Sequence, residues 1–239
     1  MTLMIWTQVL KPINLCSSPE EPSQSPASSL KFKEQECLSL LKRCKSIAEF
    51  KKVHVQVLKW GLFLNPFCAS NLLATCALSD WGSMDYACSI FRQIDEPGTF
   101  EYNTMIRGYI KCGHLETVLF LYHEMLVRGV PSDNFTYPAL LKACARLKAL
   151  EEAIQIHGHV FKLGLEEDLF VQNSLISMYG KCGKIELSCS VFEQMEQRDV
   201  ASWSAIISAH ASVGIWCECL MLFGEMSRET YCRPQESIL

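Results

Sequence analysis

Basic side chains recur at a fixed interval between residues 99 and 199. Lys111, Arg146 and Lys181 follow one another at intervals of 35 residues (111, 146, 181). Arg107 and Lys142 lie four residues before the first two of them. If a regular structure aligns these cations, they form a line that can contact a phosphate backbone. The alternative is an ordinary solvent-exposed face of lysine and arginine.

Aspartates recur with a similar period, at Asp133, Asp168 and Asp199. Each precedes a stretch with helical periodicity, and aspartate before a helix is a favoured N-cap. A second interpretation concerns the residues that we expect beside them in the fold, which are Asn103, Pro138 and Asn173. A carboxylate next to an asparagine orients its amide, and an oriented amide can hydrogen-bond the polar edge of a base.

A phenylalanine occupies one equivalent position in four successive segments. These residues are Phe67, Phe100, Phe135 and Phe170, whereas Ala201 breaks the series. A phenylalanine just before a helix can act as a hydrophobic staple. It can also stack on a base, since aromatic platforms hold single-stranded nucleic acid with about 1–3 kcal/mol per base. The sequence leaves both interpretations open.

All of these residues lie in a chain that repeats itself. Segment 103–113 (NTMIRGYIKCG) matches segment 173–183 (NSLISMYGKCG) in register. Apolar residues recur at three- and four-residue spacing, which predicts helices, and a repeat of this length predicts stacked helix–turn–helix units. We divide the chain into units 1 to 6, with residues 34–65, 66–98, 99–133, 134–168, 169–199 and 200–235.

Six such units predict an all-α fold, a right-handed α-solenoid. The first helix of each unit (helix A) should line the inner face and the second (helix B) the outer face. Positions 5, 9 and 13 of a unit lie four residues apart and share one stripe of helix A. The stripe holds Asn103, Arg107 and Lys111 in unit 3, Pro138, Lys142 and Arg146 in unit 4, and Asn173, Ser177 and Lys181 in unit 5.

Composition excludes several other classes of protein. A hydrophobic fraction of 49% favours a packed fold over disorder, and a net charge of -4 gives no overall attraction to polyanions. The 13 cysteines lack C-x-x-C spacing, so we interpret them, Cys112 included, as small buried hydrophobes. The six histidines stand without acidic or cysteine partners, so we expect no catalytic site, metal or cofactor. No apolar run reaches 18 residues, which predicts no membrane span.

Both ends of the chain differ from the repeats. Residues 1–33 are rich in serine and proline, which predicts a disordered leader or an organelle-targeting peptide, although Glu20 and Glu21 and the lack of arginine argue against targeting. Residues 236–239 look like the opening of a seventh unit. We therefore expect the chain to be truncated there, with an uncapped apolar face.

Segments 101–109, 140–144 and 173–183 resemble pentatricopeptide repeats, and the resemblance extends over residues 34–235. The succession of unit lengths is similar to that of the plant PLS class. The resemblance implies binding of single-stranded RNA, one base per repeat. In this family, position 5 and the last residue of a unit select the base. Asn103 with Asp133, and Asn173 with Asp199, match the uridine-preferring pair.

The same rule assigns weaker pairs to the other units. Pro138 with Asp168 fits a long-type unit that prefers pyrimidines, whereas Ser70 with Gly98 and Leu38 with Asn65 are not standard pairs. Ser204 lacks a clear partner, and Gln235 is the best candidate.

Proteins of the class that this chain resembles are organellar RNA-editing factors. The chain lacks the His-x-Glu and Cys-x-x-Cys motifs of a deaminase, so a partner protein would have to supply catalysis. We therefore expect a non-enzymatic specificity factor for RNA processing or C-to-U editing in the mitochondrion or chloroplast. The alternative is a helical-repeat scaffold that binds a peptide on its concave face.

Overall fold

The computed structural model describes residues 26–232, and this part of the chain is all-α, without strands. Its twelve helices form six successive helix–turn–helix pairs, as the repeats predict. The helices are α1 (Pro26–Arg43), α2 (Ile47–Lys59), α3 (Pro66–Leu78), α4 (Met84–Phe91), α5 (Thr99–Cys112), α6 (Leu115–Val127), α7 (Thr136–Leu147), α8 (Leu150–Lys162), α9 (Leu169–Lys181), α10 (Ile185–Glu193), α11 (Val200–Ser212) and α12 (Trp216–Cys232). A short 3-10 turn, Leu62–Leu64, precedes α3.

The odd-numbered helices, which are the A helices of units 1 to 6, pack against one another in succession. Helices α2, α4, α6, α8 and α10 each pack against the helix A of their own unit. Helices α4, α6, α8 and α10 also contact the helix A of the next unit. The A helices therefore form one continuous layer, with the B helices as a second layer. This arrangement confirms the predicted all-α solenoid.

The core is a continuous strip made from equivalent positions of successive units. In α5, Tyr102, Met105 and Ile106 are buried, and Tyr137 and Leu140 occupy the same places in α7. Burial of each such side chain stabilises the fold by about 1.5–3 kcal/mol. The opposite stripe of each helix A is thereby left for polar residues at positions 5, 9 and 13.

Most of the cysteines that the structure describes are buried or half-buried, as predicted. All are free thiols, and burial raises the pKa of Cys37 and of Cys144 to about 12. Cys112 and Cys217 do not fit the prediction, because Cys112 is exposed at the end of α5 and Cys217 is exposed in the first turn of α12.

The turn between helices A and B contains a left-handed residue in units 3 to 6. It is Gly113 (φ 82°), Gly183 (φ 73°) and Gly214 (φ 81°) in units 3, 5 and 6, whereas unit 4 has Lys148 with φ 55°. A residue with a Cβ carries a cost of about 1 kcal/mol or more in this conformation. Unit 4 therefore has a strained turn that units 3, 5 and 6 avoid with glycine.

Helices α9 and α11 approach closely at one point. A Cβ on Gly180 would lie 2.3 Å from the Cβ of Ala209 and 2.7 Å from its Cα. The glycine is needed here because any side chain would push the two helices apart. Ser212 uses this close approach to donate a 3.0 Å hydrogen bond to the carbonyl of Gly180.

The first unit begins earlier than predicted. Helix α1 starts at Pro26, so residues 26–33 are helical rather than part of the predicted disordered leader. Proline fits the first turn of a helix, and no helix-breaking residue follows it up to Arg43. Phe32, in the second turn of this helix, is exposed. The rest of the predicted leader, Gln235 and residues 236–239 lie outside the described residues.

Candidate nucleic-acid interface

A groove of about 450 Å³ lies between α7 and α9 and extends to the start of α11. It brings together six of the residues that the sequence predicts for base or phosphate contact. They are Pro138, Lys142, Phe170, Asn173, Lys181 and Asp199. The groove lies on the helix A layer, where the stripe of positions 5, 9 and 13 is exposed.

In unit 3, the amide of Asn103 and the carboxylate of Asp133 are joined as predicted. Nδ2 of Asn103 donates a 3.0 Å hydrogen bond to Oδ1 of Asp133. The same Oδ1 accepts from the backbone N–H groups of Phe135 (3.0 Å) and Thr136 (2.8 Å) at the start of α7. One oxygen atom of Asp133 thus orients the amide, as predicted, and also accepts from backbone N–H groups at the start of α7, although the N-cap residue of that helix is Phe135 rather than Asp133.

Thr136 is a member of this site that the sequence did not indicate. Its Oγ1 lies 2.8 Å from Oδ1 of Asn103 and 2.8 Å from Oδ1 of Asp133, and it accepts from the backbone N–H of Asp133 at 3.1 Å. The hydroxyl has a single proton, so it can donate to only one of the two oxygens at a time. Thr136 is completely buried, which fixes its hydroxyl between them.

Unit 5 repeats the arrangement with a looser pair. Nδ2 of Asn173 donates to Oδ1 of Asp199 at 3.4 Å, and Asp199 caps α11 through the N–H (2.7 Å) and hydroxyl (2.8 Å) of Ser202. Here Oδ1 of Asn173 is buried and has no hydrogen-bond partner among the described residues. A buried amide oxygen without a donor costs about 1–3 kcal/mol.

These contacts set the protonation state of the two carboxyl groups. Burial acts to raise the pKa of Asp133, but hydrogen bonds from Thr136, Asn103 and the backbone of Phe135 outweigh burial and lower it. The pKa of Asp199 is lowered in the same way, because donors on Ser202 and Asn173 outweigh the effect of burial. Both groups are therefore held as carboxylates, which accept the amide N–H.

Unit 4 departs from the predicted pair. Pro138 lies in the first turn of α7 and has no donor to give to Asp168. Asp168 caps α9 through the N–H of Val171 (3.0 Å), and its other oxygen accepts a 3.0 Å hydrogen bond from Nδ2 of Asn134, position 1 of the unit. The partner of the last residue is thus position 1 rather than position 5.

Units 1 and 2 also take their partners from outside the predicted pairs. Nδ2 of Asn65 donates to Glu34, position 1 of unit 1, at 2.6 Å, rather than to the apolar Leu38. The hydroxyl of Ser70 donates to the carboxylate of Glu101, because Gly98 has no side chain. Glu101 belongs to unit 3, where its other oxygen accepts from the backbone N–H of Gly98.

Ser204, position 5 of unit 6, donates to the carbonyl of Val200 one turn earlier in α11 at 2.6 Å. Its proposed partner Gln235 lies outside the described residues. The pair predicted for unit 6 therefore stays a prediction.

The four phenylalanines at position 2 are exposed, with Phe135 and Phe170 each 74% exposed. Phe67, Phe100 and Phe170 lie inside the first turn of their helices rather than before it. The hydrophobic-staple interpretation is therefore wrong, since a staple requires a residue before the N-cap that packs against the helix. The exposed rings remain available for stacking.

The predicted cation line divides into two kinds of residue. Lys111 donates to the carbonyl of Leu78 at 2.8 Å and pairs with Asp80 at 2.7 Å, and Arg146 donates to the carbonyl of Ile110 at 3.0 Å. Both side chains therefore hold the C-terminal end of the preceding helix A. The cations that form no hydrogen bond or ion pair within residues 26–232 are Arg107, Lys142 and Lys181 on the same stripe, and all three are exposed.

The histidines take part in packing between helices. Nδ1 of His157 lies 2.8 Å from the hydroxyl of Tyr179, and Nδ1 of His159 lies 2.8 Å from that of Tyr122. His210 has a cysteine neighbour that the sequence did not indicate, since its Nε2 lies 3.7 Å from Sγ of Cys189.

Burial raises the pKa of Cys189, which disfavours the thiolate that a nucleophile needs. Within residues 26–232, no three histidine, cysteine, aspartate or glutamate side chains are grouped to hold a metal ion. None of the helices in the same range is long and apolar enough to cross a membrane.

Comparison with known proteins agrees with the predicted family. Residues 97–146 match the PPR repeat family, and residues 173–200 and 201–230 each match the PPR repeat.

Similar proteins include the pentatricopeptide repeat-containing protein At1g31920 of Arabidopsis thaliana. It is 58% identical over 207 residues, which cover 86% of this chain and 34% of that protein. Two further relatives from the same plant are At2g22410, mitochondrial (38% identical, 74% of this chain, 26% of the relative) and At1g08070, chloroplastic (39%, 76% and 25%). The chain thus spans about a quarter to a third of the length of these relatives.

Solved structures with the same fold include the PPR domain of Arabidopsis thaliana protein-only RNase P 1 in complex with tRNA. That structure has a TM-score of 0.58 at 15% identity and covers 78% of this chain and 100% of its own. A second is PPR10 in complex with an 18-nt psaJ RNA element, with a TM-score of 0.60 at 18% identity, covering 89% of this chain and 34% of its own. The described part of the chain is therefore an α-solenoid that contains pentatricopeptide repeats over residues 97–146 and 173–230, and the chain is similar to plant pentatricopeptide repeat proteins.

Proposed function

We propose that this chain binds single-stranded RNA along the layer of A helices and selects bases at individual units. The observation that carries the proposal is the pair of equivalent amide–carboxylate hydrogen bonds, Asn103–Asp133 and Asn173–Asp199. They lie at the same place in two units, 70 residues apart. A peptide-binding scaffold has no need for an oriented amide at a fixed place in separate repeats.

An oriented asparagine offers one N–H donor and one carbonyl acceptor to the edge of a base. The carboxylate occupies one proton of Nδ2 and leaves the second available, and Oδ1 can accept from a base N–H group. Uracil presents a donor at N3 between two carbonyl acceptors, which is complementary to such an amide. This complementarity supports the uridine preference that the family resemblance implies for units 3 and 5.

The rest of the interface supplies binding without sequence preference. The exposed rings of Phe135 and Phe170 lie at the starts of α7 and α9, the A helices of units 4 and 5, where they can stack on successive bases. Arg107, Lys142 and Lys181 are the cations that are free to contact phosphates. With three such contacts to a single strand, the logarithm of the association constant should fall with the logarithm of the salt concentration with a slope of about -2.

The relatives suggest where such binding would act. Two of them carry the words mitochondrial and chloroplastic in their names, which supports a role in one of these organelles. We propose that the chain places RNA for organellar processing or C-to-U editing, with a partner protein that supplies the deaminase. The equivalent bonds Glu34–Asn65 and Asn134–Asp168 in units 1 and 4 support a three-unit super-repeat of the PLS type.

Fluorescence anisotropy with short single-stranded RNAs tests the proposal. Wild-type protein should prefer uridine at two nucleotides that have one other nucleotide between them. Asn173→Ala should lose the preference at only one of these two nucleotides. Ser174→Ala, next to Asn173 on α9, is the control that should keep both preferences. Equal affinity of wild type for all four bases at every nucleotide would disprove base selection, and tight binding of peptides without binding of RNA would favour the scaffold.

A further inference from the structure

We propose that Asn134, rather than Pro138, is the residue that selects the base at unit 4. This inference rests on the proposed RNA-binding function and adds a specificity-determining residue to it. With Asn134 included, three consecutive units carry the same chemical pair. The pairs are Asn103–Asp133, Asn134–Asp168 and Asn173–Asp199, at 3.0, 3.0 and 3.4 Å.

The first argument concerns the carboxylate. Asp133, Asp168 and Asp199 are each the last residue of a unit, and each accepts from a backbone N–H at the start of the next helix A through one carboxylate oxygen. Each also accepts a hydrogen bond from an asparagine Nδ2. Because an ionised carboxylate only accepts, the bond fixes which end of the amide faces the aspartate. The orienting device of units 3 and 5 is therefore complete in unit 4.

The second argument concerns the residue at position 5. Pro138 is one of the groove residues, but its side chain has neither a donor nor an acceptor. It therefore cannot recognise a base edge by hydrogen bonding. The polar group that does so in unit 4 has to come from a neighbouring position, and Asn134 lies one helical turn earlier in the chain.

The third argument is that position 1 reaches the end of its own unit in other repeats as well. Glu34 in unit 1 accepts from Asn65, the last residue of that unit, at 2.6 Å. Thr99 in unit 3 donates to the carbonyl of Pro131 at 2.6 Å. Unit 1 also has an apolar residue at position 5, Leu38. An apolar position 5 is thus accompanied by a polar pair between position 1 and the last residue in both units.

The fourth argument concerns what remains available on Asn134. The side chain is half-buried, and its hydrogen bond to Asp168 is the one that it forms with the described residues. Its Oδ1 and second N–H therefore have no hydrogen-bond partner among the described residues. In unit 3, by contrast, Oδ1 of Asn103 is close enough to accept from Thr136. Asn134 offers the same donor and acceptor as the other two asparagines and should prefer the same base, uridine.

The test uses RNAs in which adenosines flank a central U-U-U segment. The outer uridines are bound by units 3 and 5 and fix the register, so the middle nucleotide falls on unit 4. Replacement of the middle uridine by adenosine should weaken binding by wild type about tenfold. Asn134→Ala should reduce this ratio to near one and keep the preference at the outer nucleotides, whereas Pro138→Ala should leave all three preferences unchanged.

A second variant distinguishes a specific loss of base discrimination from misfolding. Asp168→Asn keeps an N-cap acceptor for the N–H of Val171 but removes the negative charge that orients Asn134. It should lose discrimination at the middle nucleotide alone, with an unchanged thermal melting curve.

The outcomes separate the two proposals. The inference about Asn134 fails if Asn134→Ala discriminates the middle base as wild type does, or if wild type ignores the middle base while it discriminates the outer ones. In both cases the proposed RNA-binding function stands. If wild type shows no preference at any of the three nucleotides, base selection itself is wrong, and the inference fails with it.

Discussion

The ammonium group of Lys111 donates a 2.8 Å hydrogen bond to the main-chain carbonyl of Leu78, the last residue of the helix A that precedes its own. A second bond of 2.7 Å joins it to Asp80. Arg146 contacts the carbonyl of Ile110 in the same way one unit later. Cations at position 13 therefore bind main-chain carbonyl groups at the end of the preceding helix A, where they complement the helix dipole, and the carbonyl of Ile110 also accepts from the backbone N–H of Gly113.

This relationship predicts that position 13 has different roles in neighbouring units. Lys111→Met should lower the free energy of unfolding by about 1 kcal/mol or less, because it removes an exposed hydrogen bond between units. Lys181→Met should leave unfolding unchanged, since Lys181 has no partner within residues 26–232, and should weaken RNA binding and its salt dependence. Urea denaturation and salt titrations measure the two effects. A larger loss of RNA affinity for Lys111→Met than for Lys181→Met would contradict the assignment.

The lowered pKa of Asp133 predicts a specific acid sensitivity. A carboxyl group whose pKa is lower in the folded state stabilises the fold fully above its ordinary pKa of 3.8, and this contribution is lost as the pH falls below that value and through the lower pKa of the folded state. Thr136→Val removes the buried hydroxyl that helps to lower the pKa, so the pKa of Asp133 should rise. Titration of the side-chain carboxyl carbon by NMR measures it. The pKa of Asp199 serves as the internal control. It should not move, because its donors are on Ser202 and Asn173 and not on Thr136.

The close approach of α9 and α11 predicts opposite effects of one substitution at two glycines. Gly180→Ala should destabilise the protein by about 1–3 kcal/mol, because the new methyl group would overlap Ala209. Gly158→Ala is the matched control within α8, where nothing lies within 4 Å of an added Cβ. It should stabilise the fold by up to about 1 kcal/mol through helix propensity. Thermal melting followed by circular dichroism compares them, and similar shifts for both variants would disprove the packing argument.

The exposed phenylalanines predict a loss of affinity without a loss of stability. Phe135→Ala and Phe170→Ala should each weaken RNA binding by about 1–3 kcal/mol, because each removes a stacking surface. Neither ring is buried, so the melting temperature should change little. Phe161→Ala, an equally exposed ring on helix B of unit 4, is the control and should bind RNA like wild type. Equal losses for all three variants would show that stacking does not occur on the helix A layer.

The sequence was sufficient to predict the twelve helices, because apolar spacing and repeat period together define helix pairs. It also predicted the contacts of Asn103 with Asp133 and of Asn173 with Asp199. It missed Asn134 because a fixed position numbering treats position 5 as the partner of every last residue. It missed Thr136 and Glu101 for a related reason, since both belong to one unit and act on the preceding one.

The same limit explains why the sequence did not distinguish the basic residues that bind helix ends from those that are unpaired within residues 26–232. Sequence spacing placed Lys111, Arg146 and Lys181 in one line, but it does not show which carbonyl group stands within reach of each. Only the helix ends of the preceding units distinguish the first two from Lys181. Residues that face a neighbouring repeat can therefore be assigned only once the stacking is known.

One carboxylate oxygen of Asp133 both holds the amide of Asn103 and starts helix α7. Any attempt to change base preference at the last residue of a unit therefore also changes the start of the next helix. Good N-caps are aspartate, asparagine, serine, threonine and glycine, and Gly98 occupies this position before α5. If the last residue of a unit selects the base, the stability of the next helix would restrict a redesigned array to these five amino acids at that position.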